Sequence, residues 1–404
     1  MNEASLAQPI YIPKGFAFAT ASAGIKASGK PDLALITAVE GASASALFTK
    51  NLVVAAPVQV GRSSLANTRG RVRAVLVNSG NANCANGNAG LKACKNICAQ
   101  TAKILGISPA EVFPSSTGII GVPLPEEKIT AKLSELIASR ESSERTVLEF
   151  SNTILTTDLV RKIASAKFSI GKKEVAVLGV AKGSGMIHPQ LATMLVYLMT
   201  DLAATPAELK SLLSDACDES FNVMSVDGDT STNDTVLLLA SGQSGVRLKD
   251  SGVKKKFVAT LSEVARSLAD QVIRDGEGVA HVVRLHVEEA KSRAEALQIA
   301  RTISHSLLVK TAFAGADPNW GRILAAIGRS GISLDPSKVS VLVGNQLVCR
   351  NGASYPFNAT KAHAELSQPE CRVTVRLKRG KNSVLFTTTD LTAEYVRINA
   401  DYST

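Results

Sequence analysis

Apolar and polar positions along the chain alternate between short buried runs and longer amphipathic stretches. Apolar runs that end in turn residues predict strands at 74–77, 174–180 and 235–240. Residues 91–105 have the spacing of an amphipathic helix that ends at Gly106. Residues 108–111 and 205–208 both read as a hydroxyl residue, Pro, Ala and Glu, which is typical of a capped helix start. This mixture predicts an α/β fold.

The last third of the chain is richer in strand and turn patterns. Runs at 339–343 and 346–348 flank Gly344-Asn345, a hairpin signal, and runs at 372–377 and 383–387 flank another turn at 379–382. We therefore expect three parts. They are a main α/β domain at 1–205, which contains the glycine-rich loop that starts at Lys182, a middle α/β segment at 206–284, and a smaller α+β C-terminal domain at 285–404.

Composition excludes several classes of function. The 404 residues are 45% hydrophobic, yet no apolar run reaches the length of about 18–20 residues that spans a membrane, and the first residues lack the apolar core of a signal peptide. The net charge is +10, but the basic residues are dispersed and aromatic residues make up only 4%. These features argue against nucleic acid as a partner and are consistent with small acidic substrates.

The cysteines and histidines do not form a recognisable metal site. Six Cys and five His are scattered without metal-ligand spacing, and no glycine-rich nucleotide motif occurs between a strand and a helix. We therefore predict no metal, no cofactor and no membrane partner. Unpaired thiols and the lack of a leader favour the cytoplasm.

The stretch 182–195, KGSGMIHPQLATML, is the strongest chemical signal. A glycine-rich segment leads to Ala192, then Thr193, then an apolar strand. An internal threonine is a poor nucleophile because no base accompanies it, whereas an N-terminal threonine can use its own α-amino group as the base. The pattern suits a chain that cuts itself between Ala192 and Thr193, although a small residue before Thr is also common in ordinary strands.

Three other polar loops have both a structural and a functional interpretation. Thr117 and Gly118 could donate a hydroxyl and a backbone N–H to an oxyanion, or could form a simple hydroxyl turn. The segment 156–158 fits a site loop or a helix N-cap. Glu277, in the segment 274–278, could face a cleft and bind an ammonium group, or belong to a polar turn. Residues 227–234 are predicted to form a tight polar turn before the strand at 235.

Taken together, these motifs resemble the ornithine acetyltransferase family, also known as glutamate N-acetyltransferase or ArgJ. The resemblance runs nearly from end to end. Its motifs occur at 13–16, 78–90, 116–118, 182–195, 225–234, 275–278, 315–322 and 399–404. One local departure is the run 188–191, His-Pro-Gln-Leu, where we associate Pro-Asn-Met with the family.

The resemblance implies a self-processing acetyltransferase. Cleavage would give chains 1–192 and 193–404, associated as an α2β2 assembly. Thr193 would carry an acetyl group from N-acetylornithine to glutamate, and Thr117 and Gly118 would form the oxyanion hole. The family pattern also implies substrate contacts at Thr157, Lys182, Thr193, Glu277, Asn399 and Thr404.

The implied fold has layered sheets and helices like those of ArgJ and DmpA proteins, with the chemical logic of N-terminal-nucleophile hydrolases. The sequence leaves open whether acetyl-CoA is a second acetyl donor. It also leaves two other functions open: an aminopeptidase or amidohydrolase of similar architecture, and a basic binding module without catalysis.

Overall fold

The computed structural model describes residues 9–188 and 194–401, which fold into three β-sheets and the helices that cover them. The strands are β1 (Phe16–Ala21), β2 (Leu33–Ala38), β3 (Ser43–Phe48), β4 (Ala74–Asn81), β5 (Val112–Ile119), β6 (Lys162–Ile170), β7 (Lys173–Lys182), β8 (Leu195–Thr200), β9 (Met224–Ser225), β10 (Thr235–Ala240), β11 (Val282–Ala290), β12 (Ser340–Val343), β13 (Gln346–Arg350), β14 (Ala353–Ser354), β15 (Glu370–Arg376) and β16 (Asn382–Thr389). The helices are α1 (Ala56–Asn67), α2 (Gly87–Leu105), α3 (Glu126–Ala138), α4 (Glu144–Thr153), α5 (Pro206–Asp218), α6 (Val253–Arg274), α7 (Arg293–Ser304), α8 (Leu307–Ala314), α9 (Trp320–Gly328), α10 (Ala359–Leu366) and α11 (Ala393–Asp401).

Two sheets pack face to face at the centre of the molecule. A four-stranded sheet has the order β1-β2-β4-β5, and a five-stranded sheet has the order β3-β10-β8-β7-β6. Alternate residues of both sheets fill one apolar layer, in which Phe150 makes edge-on contacts with Phe18 and Tyr197. The period of two in a strand gives each sheet a second apolar face, which must also be covered.

Helices cover those outer faces. Helices α1, α2 and α3 pack on the four-stranded sheet, and α5 and α6 pack on the five-stranded sheet. The result is a four-layer arrangement of helix, sheet, sheet and helix. In this arrangement β5 and β7 lie in adjacent layers, so residues at their C-terminal ends can meet at one end of the sandwich.

The third sheet has seven strands in the order β14-β13-β12-β15-β11-β16-β9. Helices α7 to α10 pack against it around a separate apolar core. Strand β9 belongs to this sheet although it comes from residues 224–225, and it pairs in parallel with β16. This pairing attaches the C-terminal sheet to the loop that precedes β10.

Most of the predicted elements are confirmed. The strands at 74–77, 174–180 and 235–240 lie within β4, β7 and β10. Helix α2 ends at Gly106, which has a φ of 68°, a left-handed conformation that glycine adopts without strain. Both predicted caps are present, although the first opens a three-residue 3₁₀ helix at Pro109–Glu111 rather than a longer helix. The hairpin at 344–345 forms between β12 and β13. The layered α/β fold class is confirmed.

One pairing differs from the sequence pattern. The runs at 372–377 and 383–387 do form strands, β15 and β16, but these do not pair with each other because β11 lies between them. A turn signal in sequence does not reveal a third strand that enters from elsewhere. The boundaries near 205 and 284 stay a prediction; the five-stranded sheet draws strands from both sides of residue 205.

Across the part of the chain that the structure describes, no helix combines the length and the apolar character that crossing a bilayer requires.

Candidate functional site

The segment with the strongest chemical signal connects two neighbouring strands of the central sheet. Strand β7 ends at Lys182 and β8 begins at Leu195, and these two residues pair directly in the antiparallel ladder. The connecting segment therefore leaves and re-enters the sheet at one point. Ala192 and Thr193, the two residues of the predicted cleavage bond, lie outside the described residues, as does Thr404.

A cavity of about 240 Å³ opens beside this connection. Its lining includes six residues that the sequence singled out, drawn from five separate stretches of chain: Thr117, Gly118, Thr157, Lys182, Glu277 and Asn399. The other residues of the lining are Ala82, Ile120, Thr156, Gly185, Met186, Asp227, Asp229, Ser231, Thr232, Asn233 and Tyr395. The fold thus gathers one cation, several carboxylates and several hydroxyl groups around a small concave site.

Thr117 and Gly118 lie at the end of β5, where β4 has a bulge at Gly80 and Asn81. Gly118 has a φ of 132°, and a side chain there would overlap the backbone of Gly80, so only glycine fits. In the described part of the chain, the Thr117 hydroxyl has no hydrogen-bond partner, and its side chain lines the cavity. Thr117 therefore lies on the cavity wall, where its hydroxyl can donate to a ligand.

A buried lysine joins two aspartates beneath the cavity. The Lys162 ammonium lies 2.6 Å from the Asp158 carboxylate and 2.6 Å from the Asp275 carboxylate, and its side chain is fully buried. Asp158 also accepts a hydrogen bond from the Gly183 N–H at 2.6 Å and lies 3.9 Å from the Lys182 ammonium. Burial alone would raise the pKa of Asp158, but Lys182 and Lys162 outweigh it and hold the pKa at about 2.

This ion network fixes three parts of the cavity wall. Asp158 follows Thr157 in the chain, Gly183 follows Lys182, and Asp275 ends the helix that leads to Glu277. Burial raises the pKa of Asp275, and the Lys162 charge opposes that rise. The segment 156–158 is a loop that leads to β6 at Lys162, so it does not cap a helix, and Thr156 and Thr157 line the cavity.

The segment after Lys182 is held against Glu277. The Ser184 carbonyl accepts a hydrogen bond from the Glu277 N–H at 2.9 Å, and a side chain at Gly185 would overlap the Glu277 carboxylate. That carboxylate accepts a hydrogen bond from the Asn399 amide at 2.9 Å. Glu277 thus faces the cavity, with its position set by the glycine beside it.

The loop at 227–234 binds the described residues on both sides of the predicted cleavage segment. Asp227 accepts hydrogen bonds from the backbone N–H groups of Met186 at 2.5 Å and Ile187 at 2.8 Å. Asp234 accepts one from the Met194 N–H at 2.9 Å. Burial raises the pKa of Asp227 to about 6, and it raises the pKa of Asp234 well above its ordinary value.

This loop was predicted only as a polar turn before a strand, so the sequence did not anticipate its contacts. Lys162, Ser184 and Tyr395 were not singled out either. The sequence around Lys162 does not distinguish it from an exposed strand lysine. Its partners Asp158 and Asp275 are four and 113 residues away. Burial raises the pKa of Tyr395, and three adjacent carboxylates raise it further. The Tyr395 hydroxyl lies 3.3 Å from Asp227.

The comparisons with known proteins agree with the motifs. The ArgJ family model matches residues 17–404. An arginine biosynthesis bifunctional protein ArgJ from Nitratidesulfovibrio vulgaris is 42% identical over 96% of this chain and 98% of its own length.

The chain belongs to the ArgJ family.

Two solved structures align with about half of this chain. The arginine biosynthesis bifunctional protein from Bacillus halodurans is 36% identical, with a TM-score of 0.49, over 51% of this chain and 98% of that one. An ornithine acetyltransferase from Mycobacterium tuberculosis, complexed with ornithine, is 35% identical, with a TM-score of 0.40, over 46% of this chain and 97% of that one.

Residues 9–188 and 194–401 of this ArgJ-family chain contain no cluster of three or more His, Cys, Asp or Glu side chains that could hold a metal ion. All six cysteines are buried and free. The described lining of the cavity offers hydroxyl groups, carboxylates and one lysine.

The buried lysine gives the first prediction. We expect Lys162→Met to lower the free energy of unfolding by about 3–5 kcal/mol, because it leaves two buried carboxylates without their cation. Lys167→Met is the matched control on the same strand. Lys167 is 38% exposed and pairs with Glu174 at 3.0 Å, so its loss should cost less than about 1 kcal/mol. Urea unfolding of both variants measures the difference, and equal losses would contradict the role given to Lys162.

Proposed function

We propose that this protein is a self-processing acetyltransferase that moves an acetyl group from N2-acetyl-L-ornithine to L-glutamate through an acetyl ester on Thr193. The observation that carries the proposal is the cavity beside the β7–β8 connection. It brings together Thr117, Gly118, Lys182 and Glu277 in a chain of the ArgJ family. The relative from N. vulgaris is named for arginine biosynthesis, which supports this substrate class.

Self-cleavage would begin with attack of the Thr193 hydroxyl on the Ala192 carbonyl carbon. The new C–O bond replaces the C–N bond, and the hydroxyl proton passes to the departing amine. The α-amino group of Thr193 is then free, and water opens the ester to leave a carboxylate on Ala192 and restore the Thr193 hydroxyl. The residues on either side of the bond support this step, because they are held in place. Asp227 accepts hydrogen bonds from the N–H groups of Met186 and Ile187, and Asp234 accepts one from Met194.

In the transfer reaction, the α-amino group of Thr193 takes the hydroxyl proton as the oxygen attacks the acetyl carbonyl. The tetrahedral oxyanion accepts hydrogen bonds from the Thr117 hydroxyl and the Gly118 N–H. Ornithine leaves with a proton, and the glutamate amine then attacks the acetyl ester through the same kind of oxyanion. One hole can therefore serve both half-reactions, which gives ping-pong kinetics.

The two fragments, 1–192 and 193–404, would remain associated because they share the central sheet. Its strand order places β10 and β8 of the second fragment between β3 and β7 of the first. Separating them would break two strand ladders and the apolar cores on both faces of the sheet. We include an α2β2 assembly of these fragments in the proposal, as the family pattern implies.

For the substrates, Lys182 suits a carboxylate, and Glu277 with Asn399 suits an ammonium group. The proposal includes acetyl-CoA as a second acetyl donor to glutamate, which the word bifunctional in the relatives' names supports. The proposed compartment is the cytoplasm, and the six free, buried cysteines support a reducing environment.

The mass of the denatured protein tests self-cleavage directly. We expect two fragments that correspond to residues 1–192 and 193–404, and one complex of both under native conditions. Thr193→Ala should give one intact chain with no acetyl transfer, because it removes the nucleophile for both reactions. Acetyl transfer by an uncut chain, or by Thr193→Ala, would overturn the proposal.

Release of ornithine from N-acetylornithine should depend on glutamate. Ornithine release at the same rate without glutamate would instead indicate a hydrolase that passes the acetyl group to water.

Thr117→Ala should lower kcat about 100-fold if its hydroxyl donates to the oxyanion. KM should change little, because the oxyanion exists only in the transition state. Thr117→Ser retains the hydroxyl and is the matched control, with activity expected within about threefold of the original. Steady-state kinetics with N-acetylornithine and glutamate measure both variants, and an unchanged kcat in Thr117→Ala would place the hole elsewhere.

Gly185→Ala tests the position of Glu277. The added methyl group would overlap the Glu277 carboxylate and push it out of place, while the backbone at Gly185 lies outside the left-handed region and accepts alanine. We expect KM for N-acetylornithine to rise about tenfold, as for a weakened charged hydrogen bond. Gly328→Ala, where a methyl group meets open space, is the control and should leave KM unchanged. Equal kinetics for the two variants would remove Glu277 from the binding site.

A further inference from the structure

Ser184 lies directly behind Thr157 in the wall of the cavity. Its hydroxyl oxygen is 2.8 Å from the Thr157 hydroxyl oxygen, and the residue is 1% exposed. Thr157 is half-buried and lines the cavity, whereas Ser184 does not. The pair therefore has one member that can contact a ligand and one that cannot.

The burial of Ser184 sets the direction of this hydrogen bond. Within the described residues, Thr157 is the sole hydrogen-bond partner of the Ser184 hydroxyl. A buried hydroxyl proton without an acceptor is costly, so the Ser184 O–H donates to Thr157. A hydroxyl has one proton and two lone pairs, so Thr157 accepts this bond and keeps its own proton for another acceptor.

We propose that Ser184 is a positioning residue that orients the Thr157 hydroxyl to donate a hydrogen bond to the carboxylate of the substrate. This inference rests on the proposed function and deepens it by assigning the carboxylate end of the cavity. Accepting one hydrogen bond also polarises the Thr157 O–H, which strengthens the bond it donates.

The position of Lys182 identifies the acceptor as a carboxylate. Lys182 precedes Ser184 by two residues and lines the same cavity, and its ammonium lies 3.9 Å from Asp158, the residue after Thr157. Thr157 and Lys182 thus present a neutral donor and a cationic donor from adjoining segments. Glu277 repels a carboxylate, so the wall formed by 157 and 182 is the end that attracts one.

The test compares binding of ornithine with binding of putrescine, which keeps both ammonium groups and lacks the carboxylate. We expect Ser184→Ala to weaken ornithine binding about tenfold and to leave putrescine binding within twofold. Isothermal titration calorimetry on the native complex of both fragments measures both affinities without any turnover. Ser151→Ala, which removes another fully buried hydroxyl that donates to the Leu148 carbonyl, is the control and should change neither.

A double-mutant cycle separates orientation of Thr157 from a structural effect. Thr157→Val should weaken ornithine binding at least tenfold, and Ser184→Ala should add less than twofold in that background, because its effect passes through the Thr157 hydroxyl. Ser184→Thr, which keeps a hydroxyl, should recover most of the affinity.

Three results would overturn the inference: an equal loss for putrescine, a full tenfold loss in the Thr157→Val background, or tighter ornithine binding in Ser184→Ala. The last result would mean that Thr157 donates to Ser184. These outcomes are distinct from failure of the proposed function, which is absence of acetyl transfer by the unmodified protein even though ornithine binds.

Discussion

The buried ion network around Lys162 is the constraint on which the rest of the site depends. A lysine with no solvent exposure must be paired, and Asp158 and Asp275 pair with it at 2.6 Å each. Those aspartates come from a loop and from the end of α6, so the network ties distant parts of the chain to the start of β6. Hydrophobic residues of similar volume could fill the same space without loss of stability. What the ion network provides is a fixed position for the two aspartates.

The position of that network explains how the wall of the cavity is held in place. Asp158 binds the Gly183 N–H and fixes the end of β7, from which the segment toward Thr193 departs. Asp275 fixes the turn that carries Glu277, whose own N–H is bound by Ser184. The residues that would meet substrate therefore depend on buried contacts made one or two residues away in the chain, as a site built on rigid elements requires.

Local sequence predicted the elements and failed where partners were distant. Gly106 ends α2 and Thr205 caps α5, and the partners of both residues lie within four positions in the chain, so the local sequence predicts them. The separation of β15 and β16 by β11 depends on a strand from some 80 residues earlier, and no local pattern could show it. Motif resemblance singled out Thr117 and Glu277, but the reason Gly185 must be glycine appears only when Glu277 is seen against it.

The charges of the cavity wall fit an amino acid better than a simple anion or cation. With Asp158, Asp275, Lys162 and Lys182 all ionised, the network is neutral, although Lys182 alone faces the cavity. A ligand carboxylate can pair with the Lys182 ammonium on one wall, whereas Glu277 on the other wall favours an ammonium group. A ligand that carries both groups balances each wall locally. N2-acetyl-L-ornithine carries both groups, as its α-carboxylate and its side-chain ammonium, because its α-nitrogen holds the acetyl group and is uncharged.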